Sequence, residues 1–514
     1  MTSLDGLPQQ LTRTNGELTL TRVRLGPGGP IGSVRIAGGT VAAVTDELVA
    51  DDGPVLDLDG RTLLPGLWDA HVHAAQWASV RHRLDLSGAD SARSAADAVR
   101  RHAAGLPEGE VLIGYGFRDG LWPDVPHKSL LDAVCPGRPV ALVSADLHAA
   151  WLSALGLALV GRAGHPTGLL REGECFRAVA ALPEVPEAVL DGWVAEACRA
   201  AAARGVTGLV DFHFADNLTD WSRRFAAGPL SVRVDAAVYP AHLEAAIERG
   251  LRTGDVLPGT GGLLRVGPLK LFTDGSLNTR TALCCDPYPG LEGTAHPYGI
   301  QETAYEELVR LMRRAWAHGI EPAVHAIGDR ANSLALDAFA AVGCRGRIEH
   351  AQLLTPEDVP RFAELGVTAG VQPAHAVDDR DVADRHWAGR TGRAFAYGDL
   401  LAAGARLEFG SDAPVAPLDP WLAVAAAVGR TGDDRPAWHP EQRVPVRAAL
   451  EASTRGPLTV GPGDPADLVV LDADPLRADE RTLREMPVHA TLLAGRFTFG
   501  PYQGLSPAEG YKGI

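Results

Sequence analysis

The 514-residue sequence contains only three lysines, at positions 128, 270 and 512, although lysine and arginine together number 48. Arginine therefore supplies almost all of the basic charge, and each lysine needs its own explanation. Lys270 stands in the run GPLKLFTDG, which is otherwise apolar and is typical of a buried strand. A charged ammonium in such a strand loses its hydration at considerable cost, so chemistry that requires an amine is one explanation for it.

Other absences exclude whole classes of protein. The six cysteines show no CxxC pair and no regular spacing, so we expect neither a disulfide framework nor a cysteine metal site. No apolar run is long enough to cross a bilayer, and the opening MTSLDGLPQQ lacks the pattern of a signal peptide. The net charge of -16 argues against nucleic acid or an anionic membrane as the main partner. We expect a cytoplasmic protein, alone or as a homodimer, that acts on a small molecule.

Strands alternate with alanine-rich helical stretches through the middle of the chain. This pattern predicts an α/β fold with a (β/α)8 TIM barrel over residues 63–454. A long span at about residues 80–200 separates the first two strands and predicts an inserted subdomain. Short alternating strands and Gly-rich turns at residues 1–62 and 455–514 predict a small composite β-sandwich built from both termini. The barrel strands are predicted at 63–73, 205–214, 230–239, 267–275, 321–329, 347–352, 366–375 and 405–414.

Side chains that can bind a metal or move a proton stand near the carboxyl ends of these strands, which form the active-site face of a barrel. They are His71, His73, Lys270, His325, His350 and Asp412. His71 and His73 alternate on one strand, so both imidazoles point to the same side, as zinc ligands would. Each residue also has an ordinary explanation: a chance HxH, a core histidine, or an aspartate that caps a helix. Their common position favours a metal centre.

Two explanations of Lys270 remain open at this point. The structural one is a buried ion pair, with Asp274 as the partner. The chemical one is that burial lowers the pKa of the amine, and the neutral amine reacts with carbon dioxide to give an anionic carbamate that bridges two metal ions. One ion would be held by His71, His73 and Asp412, and the other by His325 and His350.

Several runs carry a more specific resemblance. LPGLWDAHVH, RPVALVSADLHAAWLSALGLAL, PTGLLREGE, GPLKLFTDGSLNTRTALCCDPY, VHAIGDRAN, RIEHAQLLTPEDVPRFAELGVTAGVQPAH and GSDAPVAPLDP follow one another between about residues 60 and 420. Together they resemble family 3 of the amidohydrolase superfamily, the N-substituted-formamide-deformylase-like hydrolases. The resemblance implies a metal-dependent hydrolase of C–N bonds that uses the six residues above, with two Zn²⁺ ions bridged by carboxylated Lys270. The chain departs from the family in a shortened segment before GDPADLVVLD, which bears on the packing of the composite domain.

The activity predicted from this resemblance is hydrolysis of an amide or N-substituted formamide. A metal-bound hydroxide would attack the carbonyl, and Asp412 would act first as general base and then as general acid. Three alternatives stay open: a deaminase, a cyclic-amide, lactone or phosphoester hydrolase of the same superfamily, and a non-catalytic binding protein on this fold. Lys270 speaks against the deaminase, since deaminases of the superfamily usually use one metal and do not need this lysine.

Five residues of the loops and the insertion are candidates for substrate contacts. Arg280, which follows the fourth strand, is a candidate for binding an acidic group, although an arginine that braces the loop explains it equally well. His148, Trp151, Tyr115 and Trp122 come from the insertion and would suit an apolar or aromatic N-substituent. Packing within the insertion is the alternative role for each of these four.

Overall fold

The computed structural model describes residues 17–47, 54–107, 109–183 and 185–502. Eight parallel strands in its middle form one sheet, in which neighbours along the chain are neighbours in space. These strands are β6 (Leu67–Val72), β12 (Val206–Asp211), β13 (Arg233–Val238), β14 (Leu264–Phe272), β15 (Pro322–Ala326), β16 (Gly346–His350), β17 (Val367–Val371) and β18 (Leu407–Phe409). The sheet curls into a nearly closed barrel, and the predicted fold class is confirmed.

The barrel closes between its first and last strands at the level of the predicted site. Just past β18, the backbone N–H of Asp412 donates to the carbonyl of His71 at 2.7 Å, and the N–H of His73 donates to the carbonyl of Ala413 at 2.9 Å. Val72 and Ala413 form the corresponding parallel bridge. The closure therefore sets the relative positions of three predicted site residues through the backbone.

Helices cover the outside of the barrel because each crossover between parallel strands must pack its apolar face on the sheet. They are α1 (Ala74–Val80), α6 (Glu187–Ala202), α7 (Asn217–Ala227), α8 (Pro240–Glu248), α9 (Tyr305–Trp316), α10 (Asp329–Val342), α11 (Val359–Leu365), α12 (Pro373–Asp378), α13 (Arg380–His386), α14 (Tyr397–Ala402), α15 (Pro420–Gly429) and α16 (Val446–Thr454). No helix among the described residues is long and apolar enough to cross a membrane.

A second sheet lies between β6 and β12 in the chain. Its strands, in sheet order from one edge to the other, are β7 (Leu84–Asp85), β8 (Leu112–Phe117), β9 (Val140–Ser144), β10 (Ala149–Leu152) and β11 (Leu169–Arg171). Four helices accompany it: α2 (Ala92–Ala103), α3 (Lys128–Val134), α4 (Ala154–Leu159) and α5 (Gly173–Ala180). The sheet has its own buried apolar clusters, and the loop between β9 and β10 faces the barrel.

Strands from both ends of the described chain share a third sheet. They are β1 (Leu18–Leu25), β2 (Ile31–Ala37), β3 (Thr40–Thr45), β4 (Val55–Asp57), β5 (Thr62–Pro65), β19 (Leu468–Leu471), β20 (Val488–Leu493) and β21 (Arg496–Phe499), with α17 (Glu480–Arg484) before β20. β5 joins the two ends, because it pairs with β1 on one side and β19 on the other. The sheet branches at β1, which also pairs with β4. Residues 1–16, 48–53 and 503–514 of the predicted composite domain lie outside the described residues.

Candidate active site

Three of the predicted residues form a compact set of donors at the carboxyl ends of the strands. His71, His350 and Asp412 are buried, and each offers one ligand atom within 4.8 Å of the other two. His73 joins them through the same carboxylate, because its Nε2 lies 3.2 Å from Oδ1 of Asp412 and the Nε2 of His71 lies 3.5 Å from that atom. Two imidazoles therefore face one carboxylate oxygen.

The four predicted histidines, His71, His73, His325 and His350, form one histidine cluster, and His350 lies at its centre. Its ring centroid is 4.9 Å from that of His71 and 4.5 Å from that of His325. The compact set of donors therefore combines residues that the sequence prediction assigned to two different metal ions. His325 stands at the edge of the cluster, where its Nε2 lies 3.1 Å from the carbonyl oxygen of Gly275.

The protonation state of these imidazoles favours metal binding. Burial lowers the pKa of His71, His325 and His350 well below the usual value, and the charge of Lys270 acts in the same direction on each of them. They are therefore neutral at physiological pH, which is the form that binds a metal. Burial opposes ionisation of Asp412, but the neighbouring imidazoles hold its pKa well below the usual range.

Two buried polar side chains orient two of these histidines. The Nδ1 of His71 lies 2.5 Å from Oε2 of Glu349, and the Nδ1 of His350 lies 2.8 Å from Oε1 of Gln372. With Nδ1 occupied in this way, Nε2 of each ring is left for a metal, the usual arrangement around a ligating histidine. Neither Glu349 nor Gln372 is among the residues predicted from the sequence. The alternation of Arg347 and Glu349 in GRIEH is the signal that could have found the first, since it places two charged side chains on the inner face of one strand.

Lys270 lies at the base of the cluster with no partner of its own. Its side chain is 1% exposed, and its Nζ makes no hydrogen bond to any described residue. The Nζ stands over two aromatic faces, 4.5 Å from the ring centroid of Phe212 and 5.1 Å from that of Phe272. Burial lowers the pKa of Lys270 to about 8, while Glu349 and Asp412 oppose that shift. A substantial fraction of the amine is therefore neutral near pH 8.

The carboxylate of Asp274 binds backbone N–H groups rather than Lys270. It accepts hydrogen bonds from the backbone N–H groups of Leu283, Ile327 and Gly328 at 2.8–3.0 Å. It thus ties the loop after β14 to the loop after β15. The structural explanation, an ion pair between Lys270 and Asp274, does not account for the burial of the lysine.

The donor set fits a divalent metal. Neutral imidazoles and an ionised carboxylate are the ligands that Zn²⁺ and similar metals take in proteins. Both Lys270 Nζ and His73 Nδ1 are buried without a hydrogen-bond partner among the described residues. The cluster therefore has buried polar atoms that the protein alone does not satisfy.

The cluster forms the floor of a cavity of about 420 Å³, a size suited to a small molecule. Its lining includes an apolar wall in which the rings of Phe214 and Phe272 stack with their centroids 5.5 Å apart, and it also includes the apolar side chains of Leu277, Ile327 and Val415. The polar part of the lining comes partly from the insertion, with Asp146, His148 and Glu172. No arginine lines the cavity within the described part of the chain, although arginine is the dominant basic residue.

The five candidate substrate residues take different positions. His148 lines the cavity, and its Nδ1 lies 2.9 Å from Oε2 of Glu172. Trp151 and Trp122 lie in the apolar core of the insertion. Tyr115 lines a separate cavity. Arg280 does not line the site cavity. It lies near His386 at the end of α13. Burial lowers the pKa of His386 to about 4, and the charge of Arg280 acts in the same direction.

Comparison with known proteins agrees with this geometry. The profile of the amidohydrolase family matches residues 54–499, which is most of the sequence. The chain belongs to the amidohydrolase family. Among curated amidohydrolase relatives, it is 29% identical over 485 residues to the putative amidohydrolase YtcJ of Bacillus subtilis, covering 86% of this chain and 90% of that protein.

Two further relatives bear on the site of this amidohydrolase. The chain is 27% identical over 518 residues to the N-substituted formamide deformylase of Arthrobacter pascens, covering 90% of this chain and 94% of that protein. A crystal structure of an uncharacterized metal-dependent hydrolase from Pyrococcus horikoshii superposes with a TM-score of 0.75 at 26% identity, covering 90% of this chain and 99% of that one. The protein is therefore a metal-dependent hydrolase of the amidohydrolase superfamily.

Proposed function

We propose that the protein hydrolyses the C–N bond of an amide, with an N-substituted formamide as the favoured class. The observation that carries the proposal is the buried, unpartnered Lys270 beside three metal donors. An amine with a lowered pKa in this place can become a carbamate and bridge two divalent ions, most simply Zn²⁺. The similarity to the formamide deformylase of Arthrobacter pascens supports the choice of substrate class.

The metals would be held by the residues of the cluster. The proposed ligands are His71, His73, His325, His350, Asp412 and carboxylated Lys270. Divalent metals in such a site supply Lewis-acid polarisation of the carbonyl and lower the pKa of bound water. Glu349 and Gln372 keep the Nε2 atoms of His71 and His350 directed at the site.

Asp412 is the proposed proton carrier. Its left-handed backbone, with φ 57°, turns the carboxylate towards the histidines at the point where the barrel closes. Its carboxylate is ionised and can accept the proton of the attacking water. It would then pass this proton to the leaving nitrogen, which must leave as an amine.

The cavity walls suggest how a substrate lies. The apolar wall, with Phe214 and Phe272, suits the carbon substituent on the nitrogen, which places the formyl carbon over the histidine cluster. His148 projects from the insertion side, held by Glu172. Because no arginine lines the described cavity, we expect neutral rather than anionic substrates.

The test is a substrate panel on purified protein, with elemental analysis of the same preparation. N-alkyl and N-aryl formamides, N-acyl amines, cyclic amides, lactones, phosphoesters and aminopyrimidines would be compared, and Lys270→Arg is the matched inactive control. Turnover of formamides that disappears in the control supports the proposal. Turnover confined to lactones, phosphoesters or aminopyrimidines would reject it in favour of another hydrolase of the superfamily. A metal-loaded protein that turns over none of them would point to a binding role.

A further inference from the structure

The chain makes an unusual turn at the end of β16. His350 and Ala351 both have positive φ, 75° and 43°, which costs energy for residues with a side chain. Two hydrogen bonds to the end of β15 hold the turn: Ala351 N–H donates to the carbonyl of Ala326 at 3.0 Å, and Leu353 N–H donates to that of Ile327 at 2.9 Å. The turn brings the side chains of both His350 and Gln352 to the cavity.

Gln352 is buried there without a partner for its side-chain oxygen. The residue is 3% exposed, and its Oε1 has no hydrogen bond to any described residue, whereas its backbone carbonyl accepts from Phe395 N–H. His375 also lines the cavity and is 5% exposed, and its buried Nε2 likewise has no hydrogen bond to any described residue. A buried polar atom without a partner costs about 1–3 kcal/mol, so such atoms in a cavity wall point to a polar ligand.

We propose that Oε1 of Gln352 accepts a hydrogen bond from the N–H of the substrate. This contact would restrict the site to amides that carry an N–H. This inference rests on the proposed hydrolysis of amides and specifies its substrate class: formamides and other amides with one N-substituent, not N,N-disubstituted amides or esters. The side-chain amide of Gln352 offers an acceptor oxygen and an NH2 group with two N–H donors, which complement the N–H and the carbonyl of a secondary amide.

To discriminate between an amide and an ester, the site needs a residue such as Gln352 that contacts the N–H. The proposed metal site and Asp412 would act on the carbonyl group and the leaving atom, which an ester also presents. An ester of the same shape fills the apolar wall equally well, but it leaves Oε1 of Gln352 buried and unsatisfied. Sites built to hydrogen-bond a substrate group can reject analogues that lack it by factors of ~10⁴–10⁵.

The experiment compares three compounds of one shape: N-butylformamide, N-butyl-N-methylformamide and butyl formate. kcat/KM is measured on wild type, on Gln352→Leu and on Gln76→Leu, which alters a half-buried glutamine of α1 that does not line the cavity. Dissociation constants for the two amides are measured by calorimetry on Asp412→Asn protein with and without Gln352→Leu. Metal content and melting temperature are recorded for every variant.

Gln352→Leu should lower kcat/KM for N-butylformamide by about tenfold or more, and leave the value for butyl formate within about threefold. It should also remove the preference for the N–H amide over its N-methyl derivative in the binding measurement. Equal losses on all three compounds, or no loss on any, overturn the inference while leaving amide hydrolysis standing. Selective binding of the N–H amide without turnover by wild type would uphold the role of Gln352 and overturn the proposed hydrolysis.

Discussion

The carboxylate of Glu349 lies 2.5 Å from Nδ1 of His71, although the two residues are 278 positions apart in the chain. Glu349 is fully buried and also accepts a hydrogen bond from Nε of Arg347, whose Nη1 donates to Oε2 of Glu408 at 2.9 Å. A chain of hydrogen bonds between charged side chains, from Glu408 through Arg347 to Glu349, thus lies inside the barrel next to the proposed metal site. At one end of it, Glu349 fixes the ring of His71, a proposed metal ligand.

Glu349→Gln should weaken metal binding by about 10–100-fold, because it removes the charge that orients His71 and raises its basicity. Chelator competition followed by metal analysis measures this loss. The control is Glu321→Gln, which alters a carboxylate that pairs with exposed Arg345 away from the site. Unchanged affinity in Glu349→Gln would show that the contact with His71 does not support the metal.

Lys270→Ala should lose metal and activity together, and Lys270→Arg should do the same, because a guanidinium stays protonated and cannot become an anionic ligand. A short carboxylic acid added to the alanine variant should restore part of both by replacing the carbamate. Elemental analysis and initial rates measure the outcome.

Lys128→Ala is the matched control for Lys270, since Lys128 lies on the insertion, where its Nζ donates to the carbonyl of His165. This variant should keep its metal. An active Lys270→Arg enzyme with normal metal content would rule out the carbamate.

Asp412→Asn should lower kcat by ~10²–10⁴-fold or more, because general acid–base catalysis of this size is lost and a metal contact is weakened. Asparagine tolerates the left-handed backbone at this position, so the fold should survive. Circular dichroism and melting temperature check the fold. Asp378→Asn, which alters a surface aspartate paired with Arg118, should keep near-normal kcat; a normal rate in Asp412→Asn would remove this residue from the mechanism.

The contact between His148 and Glu172 should make stability depend on pH. Burial opposes the charge on His148, but Glu172 and Asp146 raise its pKa above the usual 6.5, while His148 lowers the pKa of Glu172 below 4.5. A raised histidine pKa means that the folded state binds the extra proton. The stabilisation is therefore complete below pH 6.5 and is lost as pH rises through the raised value. On the acid side it is lost as pH falls through the lowered pKa of Glu172.

A double-mutant cycle with His148→Asn and Glu172→Gln isolates this contact. The coupling free energy of unfolding should be about 1 kcal/mol near pH 6 and should fall towards zero by pH 9. Denaturant unfolding across this range is the measurement. A coupling energy that stays constant with pH would contradict a protonated His148.

The sequence by itself determined the barrel and the candidate ligands. Buried parallel strands produce apolar runs of a few residues, and the side chains that can bind a metal stand where those runs end. Both features can therefore be recognised in short stretches of the sequence. His71 and His73 could be placed on one face from their spacing alone. The burial of Lys270 followed from the apolar neighbours of its strand, and the structure agrees.

Only the tertiary structure decided which of these groups meet. His71, His350 and Asp412 form the closest set because the barrel closes between β6 and β18 and because the backbone of His350 turns to positive φ. Neither feature has a local sequence pattern. The same holds for Asp274, which binds three backbone N–H groups rather than Lys270, and for Arg280, which does not line the cavity. The direction of a side chain beyond a strand end depends on contacts with residues hundreds of positions away, which no run of neighbouring residues specifies.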